Sequence, residues 1–234
     1  MDGVDELIDL VKERKLKSLV GCQMRFHPSL IKIKEIIDEG TIGNVYSADI
    51  NFGFYLPSWR PKVDYRQNYG AIRAQGGGII LDLIHEIDYA RWLFGEYEKI
   101  FTFSGKISDL EIDTEDIAEI VVKFRSGVYG RIHVDYLQYA ASRGCKVIGS
   151  KGTVNWDLDQ NSVKLYTESK GEWEDFPLEE DFDFNNTYLD QYRHFFDCIR
   201  NDLEPVQDVE GGKKALQVAL ACHKSSNNEV MIKL

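Results

Sequence analysis

The spacing of apolar and polar positions in the first quarter of the chain predicts two helices and two strands. Apolar residues at helical spacing predict a helix over 3–15, and the short apolar run over 18–24 predicts a strand. A second helix is expected to begin near Pro28, since proline is favoured in a first helical turn, and to stop at Gly40. Partial alternation over 44–54 predicts another strand.

The residues after 95 show mainly the alternation that is typical of strands. The predicted strands cover 98–108, 115–125, 128–139, 145–158 and 162–168, with a last short strand at the C-terminus. The turns between them are short, and such short links require antiparallel neighbours. An acidic stretch over 169–184 is expected to be a loop, and helices are expected over 186–201 and 211–225. The pattern predicts an α+β fold, with an open, mainly antiparallel sheet and helices on one face.

Residues 55–75 have neither helical nor strand periodicity and are predicted to form a long irregular loop, of the kind that often lines a site. Its polar-tipped aromatic and guanidinium groups are suited to stacking on sugar rings and to hydrogen bonding with hydroxyls. The candidate substrate-binding residues are Tyr55, Trp59, Arg60, Tyr65, Arg66, Tyr69 and Arg73. The alternative is a loop that is packed by its own aromatic side chains.

The segment GGGIILDLIHEIDYARWLFG, residues 76–95, predicts a helix with two different faces. On a helical wheel the face that packs on the sheet comprises Ile80, Leu83, Ile87, Ala90 and Phe94. The second face comprises Asp82, His85, Tyr89 and Trp92. Because Asp82 and His85 are i, i+3 neighbours, the carboxylate is expected to contact the imidazole.

The second face favours a chemical role for this helix. His85 is the candidate general acid/base, with Asp82 orienting the ring and raising its basicity. Gly77 and Gly78 are candidate cofactor contacts, because glycines leave the amides at a helix start open to a ligand. The alternative is a histidine whose polar atoms are satisfied beneath a loop, preceded by a tight glycine turn. No metal site is predicted, because the residues around His85 do not form an HExxH motif.

The composition and charge of this 234-residue chain exclude several classes of binding partner. The formal net charge of −11 disfavours nucleic acid and anionic membranes, since both require a positive field. No apolar run is long enough for a membrane span, and the four cysteines are widely spaced without a CxxC pair. A reduced, cytoplasmic protein is therefore expected.

Five segments together resemble one known family. They are RFHPSLIKIKEIIDEGTIGNV (25–45), the glycine–histidine segment (76–95), IGSKGTV (148–154), RHFFDCIRNDLEP (193–205) and GGKKALQVALACHKSS (211–226). Their order is similar to that in the glucose–fructose oxidoreductase/inositol dehydrogenase (Gfo/Idh/MocA) family of NAD(P)-dependent oxidoreductases, which act mostly on sugars and cyclitols. Members have an N-terminal Rossmann half and a C-terminal α+β half whose open sheet builds oligomers.

The resemblance implies that this chain corresponds to the C-terminal half. Residues 1–24 resemble the last helix and strand of the nucleotide-binding half, and 25–234 the substrate-binding and oligomerisation domain. Without a Rossmann sheet beside them, residues 1–24 are expected to pack in a new place or to be poorly ordered. His85 and Asp82 match the family pair that acts on the substrate hydroxyl, although many members space that pair by four residues rather than three. The implied partners are a sugar-like substrate and further copies of the chain, in a dimer or tetramer.

One motif of the family is missing from these residues. No GxGxxG follows a strand, so no phosphate cradle of a dinucleotide fold is present. We expect NAD or NADP to serve a full-length form, with neither bound tightly by this chain, which is then inactive alone. The alternative is a non-catalytic ligand-binding or assembly module.

Overall fold

The strands predicted in the second half of the chain join an earlier strand in one large sheet. A computed structural model describes all 234 residues. Its strands are β1 (Val45–Gly53), β2 (Tyr97–Gly105), β3 (Ile117–Phe124), β4 (Tyr129–Asp135), β5 (Ser142–Gly149), β6 (Gly152–Asp157), β7 (Ser162–Thr167), β8 (Trp173–Pro177) and β9 (Ile232–Lys233). They lie in the order β8-β7-β6-β5-β1-β4-β3-β2-β9. All neighbours are antiparallel except β1 and β4, which run parallel with Ile50 opposite Ile132.

The helices cover one face of this sheet. They are α1 (Val4–Glu13), α2 (Pro28–Asp38), α3 (Leu56–Trp59), α4 (Ile79–Asp82), α5 (Ile84–Phe94), α6 (Asn185–Asn201) and α7 (Val209–Asn228). Ile33 of α2, Ile87 of α5 and Ala219 of α7 share one buried core with inward-facing strand residues such as Ile50 and Ile132. Burying each large aliphatic side chain there stabilises the fold by about 1.5–3 kcal/mol. The predicted fold class is confirmed.

The opposite face of the sheet is not covered by any helix. Phe103 of β2, Val121 of β3 and Tyr129 of β4 are 66%, 54% and 60% exposed. These side chains alternate with buried ones along their strands, as expected for a sheet with a single packed face. None of the helices combines the length and the apolar character needed to cross a membrane.

Two local predictions are wrong. Residues 18–24 form no strand: the chain has no regular secondary structure over 18–22 and then enters a short 3-10 helix over Gln23–Phe26. A strand needs a neighbouring edge, and the backbone of Val20 instead donates a hydrogen bond to the Gln207 carbonyl, 2.8 Å away, in the loop before α7. The acidic stretch 169–184, predicted as a loop, contains β8, which pairs with β7 at the edge of the sheet.

The N-terminal helix packs on α7 of the same chain. Ile8 is buried, and Lys12 forms an ion pair of 2.9 Å with Glu210. Leu7 and Leu10, on other sides of α1, are 48% and 39% exposed. Residues 1–24 are thus placed against the C-terminal part of the chain, and the domain boundary after residue 24 stays a prediction.

The helix predicted over 76–95 is two helices. The backbone leaves helical geometry at Leu83, with φ −101° and ψ 34°, between α4 and α5. All five residues of the predicted sheet-facing side are buried. Tyr89, predicted on the other face, is also fully buried, so the second face is not the continuous stripe that the wheel predicts.

Candidate active site

Asp82, the last residue of α4, is held by two tyrosines rather than by His85. The Tyr69 hydroxyl donates to one carboxylate oxygen, and the Tyr136 hydroxyl donates to the other at 2.8 Å. Tyr136, directly after β4, is fully buried, whereas Tyr69 in the preceding loop is 44% exposed. Burial and the hydrogen bond to Asp82 raise the pKa of Tyr69 to about 12, so its hydroxyl stays protonated and donating. The predicted contact between Asp82 and His85 is therefore wrong.

The glycines before α4 are required by packing. A Cβ on Gly77 would lie 2.1 Å from the Tyr69 carbonyl oxygen, and one on Gly78 would lie 2.3 Å from a Glu115 carboxylate oxygen. Gly78 also has φ 111°, which side chains rarely adopt. Both glycines are buried by the protein itself, and the neighbouring carboxylate repels anions. The site therefore does not fit a dinucleotide phosphate, and any other cofactor role of Gly77 and Gly78 stays a prediction.

The loss of stability on replacing each glycine should depend on how closely other atoms surround the added Cβ. We expect Gly77→Ala to lower the free energy of unfolding by about 2–4 kcal/mol, because the atoms it meets are backbone carbonyls that cannot move aside. Gly76→Ala is the matched control: Gly76 has φ 77° but nothing within 4 Å, so only about 1 kcal/mol is expected. Urea unfolding of both variants measures the difference. Equal losses would contradict the packing explanation.

Glu115 fixes the start of α4. This buried carboxylate accepts from the Ile80 amide at 3.3 Å and lies 3.1 Å from Nε2 of His223 on α7. Burial acts to raise the pKa of Glu115, but the hydrogen bonds from His223 and the backbone outweigh it and lower the pKa. The carboxylate is therefore charged at neutral pH and ties the helix that carries Asp82 to α7.

His85, near the start of α5, has a neutral imidazole with an unused nitrogen. Its Nδ1 is buried without a hydrogen-bond partner. Burial, together with the positive charge of Arg143, lowers the pKa of His85 to about 4, and Asp88 acts weakly in the opposite direction. The prediction that Asp82 raises the basicity of His85 is wrong. The ring is instead kept unprotonated at neutral pH.

Two buried ion pairs flank His85 along α5. Glu86 accepts from Nε of Arg143 at 2.8 Å, and the Arg143 guanidinium lies over the Phe52 ring. On the other side of the helix, Asp88 accepts two bonds from Arg25, at 2.7 and 2.9 Å. Both pairs are almost completely buried, so α5 is fixed to β5 and to the segment after residue 22. These contacts hold the His85 backbone in place.

Most of the predicted substrate-binding residues hold the loop together. Tyr55 stacks on Tyr139, Trp59 packs against Phe52, Phe54 and Tyr136, and Tyr65 accepts from the Glu111 amide. Arg66 pairs with Asp64 and Glu111, and Arg73 donates to the Asp113 carbonyl. These contacts match the alternative of a self-packed loop, and a substrate role for these five residues stays a prediction.

One loop candidate bonds directly to a residue of the 76–95 segment: the Tyr69 hydroxyl donates to Asp82. Arg60 is exposed, its positive charge opposes the rise in the Tyr69 pKa, and its substrate role stays a prediction. Tyr136 and Arg143 were not predicted as site residues. Tyr136 lies where the alternation of β4 ends, and Arg143 is a charged residue at an inward-facing position of β5. An inward charge on a buried strand is the signal that could have indicated a polar centre.

No group of three or more histidine, cysteine, aspartate or glutamate side chains is arranged to hold a metal ion. The titratable groups gathered in this region are a neutral imidazole, a carboxylate with two phenol donors, and two buried guanidinium–carboxylate pairs. Such a set can accept a proton and bind hydroxyl groups.

Comparison with known proteins identifies the relatives of this fold. Residues 34–234 match the model of an oxidoreductase family described as its C-terminal alpha/beta domain. The chain belongs to this Gfo/Idh/MocA oxidoreductase family. The chain is 30% identical to myo-inositol 2-dehydrogenase of Thermotoga maritima, covering 99% of this chain and 68% of that protein. It is 26% identical to scyllo-inositol 2-dehydrogenase (NAD(+)) of Bacillus subtilis, covering 96% and 64%.

Solved structures agree on the fold. A levoglucosan dehydrogenase in complex with NADH and levoglucosan superimposes with a TM-score of 0.87 at 17% identity, over 99% of this chain and 70% of that one. A probable dehydrogenase from Thermotoga maritima gives 0.78 at 28% identity, over 98% and 69%. The chain therefore spans about two thirds of the length of its relatives.

Proposed function

We propose that this chain is the substrate-binding half of an NAD(P)-dependent oxidoreductase that acts on a hydroxyl of a sugar or cyclitol. Its family and the inositol dehydrogenases among its relatives support the reaction class. The observation that carries the proposal is His85, a half-buried imidazole that is unprotonated at neutral pH, three residues after a carboxylate held by phenols.

His85 is proposed to take the proton of the hydroxyl that is oxidised. Because its pKa is about 4, the ring is in the proton-accepting form at neutral pH. The imidazolium that forms is disfavoured by burial and by Arg143, so the ring releases this proton to bulk water before the next turnover. The buried Glu86–Arg143 and Asp88–Arg25 pairs keep α5 fixed while this happens.

The dinucleotide, NAD or NADP, is proposed to be bound by a nucleotide-binding half that these residues do not contain. When bound, a nicotinamide supplies the hydride acceptor for such a reaction. Gly77 and Gly78 do not offer a phosphate site, which is the reason for assigning the cofactor elsewhere. On this proposal the chain alone does not catalyse and does not bind the cofactor tightly.

We also propose that copies of the chain associate through the open sheet face, in a dimer or tetramer. The exposed Phe103, Val121 and Tyr129 side chains lie on three neighbouring strands, and an apolar surface of this kind is a liability in a monomer. Sedimentation velocity that finds only monomer would contradict this. The cytoplasm is the proposed location, because all four cysteines are free and buried.

A chimera tests the proposed reaction. The nucleotide-binding third of the Thermotoga maritima relative is joined to this chain, and the product is first shown to fold and to bind NADH. We expect NAD-dependent oxidation of a cyclitol, and we expect His85→Gln to lower turnover by about 10²–10⁴-fold with NADH affinity unchanged.

His133→Gln is the matched control for this test. His133 lies on β4 between Glu119 and Asp135, at 2.6 and 2.8 Å, and is not part of the candidate site. Its replacement should leave turnover within about 2-fold. A folded chimera that binds NADH but oxidises no sugar or cyclitol would contradict the proposal. It would favour the second candidate, a non-catalytic binding or assembly module, to which the closed surroundings of Gly77 and Gly78 also point.

A further inference from the structure

His133 of β4 lies on the uncovered face of the sheet and bonds a carboxylate with each of its ring nitrogens. Nδ1 is 2.6 Å from Oε1 of Glu119 on β3, and Nε2 is 2.8 Å from Oδ2 of Asp135 on β4. A carboxylate can only accept hydrogen bonds, whereas a neutral imidazole has a single N–H donor. Both bonds therefore form together only when the imidazole is protonated. We call Glu119, His133 and Asp135 the histidine triad.

The surroundings of the triad favour this charged form. The hydrogen bond to Asp135 has the largest influence on the pKa of His133 and raises it, and Glu119 adds to the rise against the effect of burial. Burial also acts to raise the pKa of Asp135, but the hydrogen bonds from His133, Gln138 and the Leu137 amide outweigh it and lower that pKa. Asp135 is thus a carboxylate, and His133 is an imidazolium that faces it.

Apart from the triad, the charges near His133 are paired or absent. On the β1 side His133 lies opposite the uncharged Asn51, and Asp49 is 3.2 Å from Arg131. On the far side of β3, β2 contributes the apolar Phe103. Two carboxylates and one imidazolium give the triad a single net negative charge, and loss of the proton doubles it. The proton on His133 therefore sets the charge of this part of the sheet face.

We propose that the histidine triad makes the association of two copies through the open sheet face depend on pH. Copies associate while His133 carries its proton and separate when the proton is lost. This rests on the proposed function, which includes association through that face. The triad forms no hydrogen bond with Asp82 or His85, so the association can change without altering the proposed chemistry.

A second copy of the chain fits this face because the face balances its own charges. Asp49 lies between Arg131 and Lys146 in the strand register, and Lys164 lies opposite Asp175. The chain as a whole carries a net charge of −11, so two copies repel each other unless charges of both signs meet. A two-fold axis sets one surface against itself, and a face with both signs can then be complementary to itself.

Pairing of two faces removes the triad from water. Val121 and Phe103, which are 54% and 66% exposed, lie beside the triad, and their burial favours association. With an imidazolium, both carboxylates keep a charged donor. With a neutral ring, one carboxylate loses its hydrogen bond, and the carboxylates of the two copies repel each other.

The direction of the pH dependence follows from the raised pKa of His133. The proton is present below about pH 6.5, the ordinary value for histidine, and is lost as the pH rises through the raised value. Association should therefore be strongest at mildly acidic pH and should weaken toward alkaline pH.

Sedimentation velocity over a concentration series at about pH 6 and about pH 9 tests this dependence. We expect the Kd for association to be at least about 10-fold higher at the alkaline pH, because uncompensated like charges then meet. His133→Gln, which has one amide donor group and no titration, should associate weakly at both pH values. Glu119→Gln leaves one carboxylate for the single donor of a neutral ring and should reduce the dependence to within about 3-fold.

His194→Gln is the matched control for the loss of a titrating histidine. His194 lies on α6, away from the open face, where it accepts from the Val206 amide at 3.0 Å. This variant should keep the full pH dependence. The comparison with His133→Gln at the same pH values also separates the triad from the change in total charge of the chain.

The outcomes separate this inference from the proposed association. Monomer at every pH and concentration would contradict both. Association with one Kd at both pH values, or a dependence that persists in His133→Gln, would contradict this inference alone. NMR of the imidazole nitrogens at about pH 7 gives an answer that does not depend on how His133→Gln folds. We expect a proton on each nitrogen of His133, and a neutral ring would overturn the inference.

Discussion

Asp88→Ala should lower the free energy of unfolding by about 3–5 kcal/mol, because it leaves the Arg25 guanidinium buried without its counter-charge. The Arg25 and Asp88 side chains are only 5% and 1% exposed. Asp88 also accepts from the Gln207 amide at 2.5 Å, and Arg25 donates to the Val206 carbonyl at 2.8 Å. One carboxylate thus connects α5 to two segments that are distant in sequence.

Urea unfolding of paired variants isolates the cause of this loss. Arg25→Met combined with Asp88→Leu removes both charges, and we expect it to recover most of the stability, since the penalty belongs to the unpaired ion. Asp49→Ala is the control: its partner Arg131, 3.2 Å away, and Asp49 itself are each 52% exposed, so the change should stay below about 1 kcal/mol. A loss below about 1 kcal/mol for Asp88→Ala would show that the buried pair does not hold α5 in place.

Acidification should destabilise the protein between about pH 6.5 and pH 4 through His27. This residue is fully buried, its Nδ1 accepts from the Ser29 amide, and its ring packs among Trp156, Phe182 and Phe184. Burial, with the charge of Arg143, lowers the pKa of His27 to about 4. Between the two pH values the unfolded chain binds a proton that the folded chain rejects. Stability is therefore lost as the pH falls, by about 1.4 kcal/mol per pH unit.

His27→Asn removes this titration and keeps an acceptor at the start of α2. We expect the free energy of unfolding to fall less between about pH 7 and about pH 5 in this variant than in the unmodified chain, by about 2 kcal/mol. His85 contributes in the same direction, and His133, whose pKa is raised by Asp135 and Glu119, in the opposite one. His133 stabilises below its unfolded pKa and loses that contribution as the pH rises. The same pH dependence in both chains would mean that His27 is not buried in its neutral form.

The parts of this fold that local pattern determines were predictable from the sequence. Ile80, Leu83 and Ile87 are buried because helical period and core burial act over one or two turns. The strand predicted over 18–24 was wrong because a strand also needs an edge, which spacing within one segment cannot show. The short strand β8 was not predicted, because its acidic sequence has little apolar character. It forms through its pairing with the edge of β7, which the sequence of the segment cannot show.

The candidate site shows the same limit. The spacing of residues in the 76–95 segment identified His85 and Asp82 as candidates but wrongly predicted that they contact each other. The partner of Asp82 is Tyr136, which lies 54 positions further along the chain and reaches Asp82 because β4 ends there. Tyr89 was expected on an open polar face. It is buried, with its hydroxyl unpaired, near Glu86 and Arg143, which make this part of the interior polar. A helical-wheel prediction assumes that polar side chains are exposed to solvent. That assumption fails where buried ion pairs make part of the interior polar.

We expect this chain to bind a cyclic polyol at the Tyr69–Asp82–His85 region without a dinucleotide. Amide chemical-shift mapping of the unmodified chain, titrated with myo-inositol to about 100 mM, tests it directly, since even a Kd of about 10 mM would then be near saturation. We expect the shifts to cluster at residues 69–70, 82–85 and 136, and NADH to produce no comparable pattern. Shifts confined to the open sheet face, or none at all, would contradict the claim.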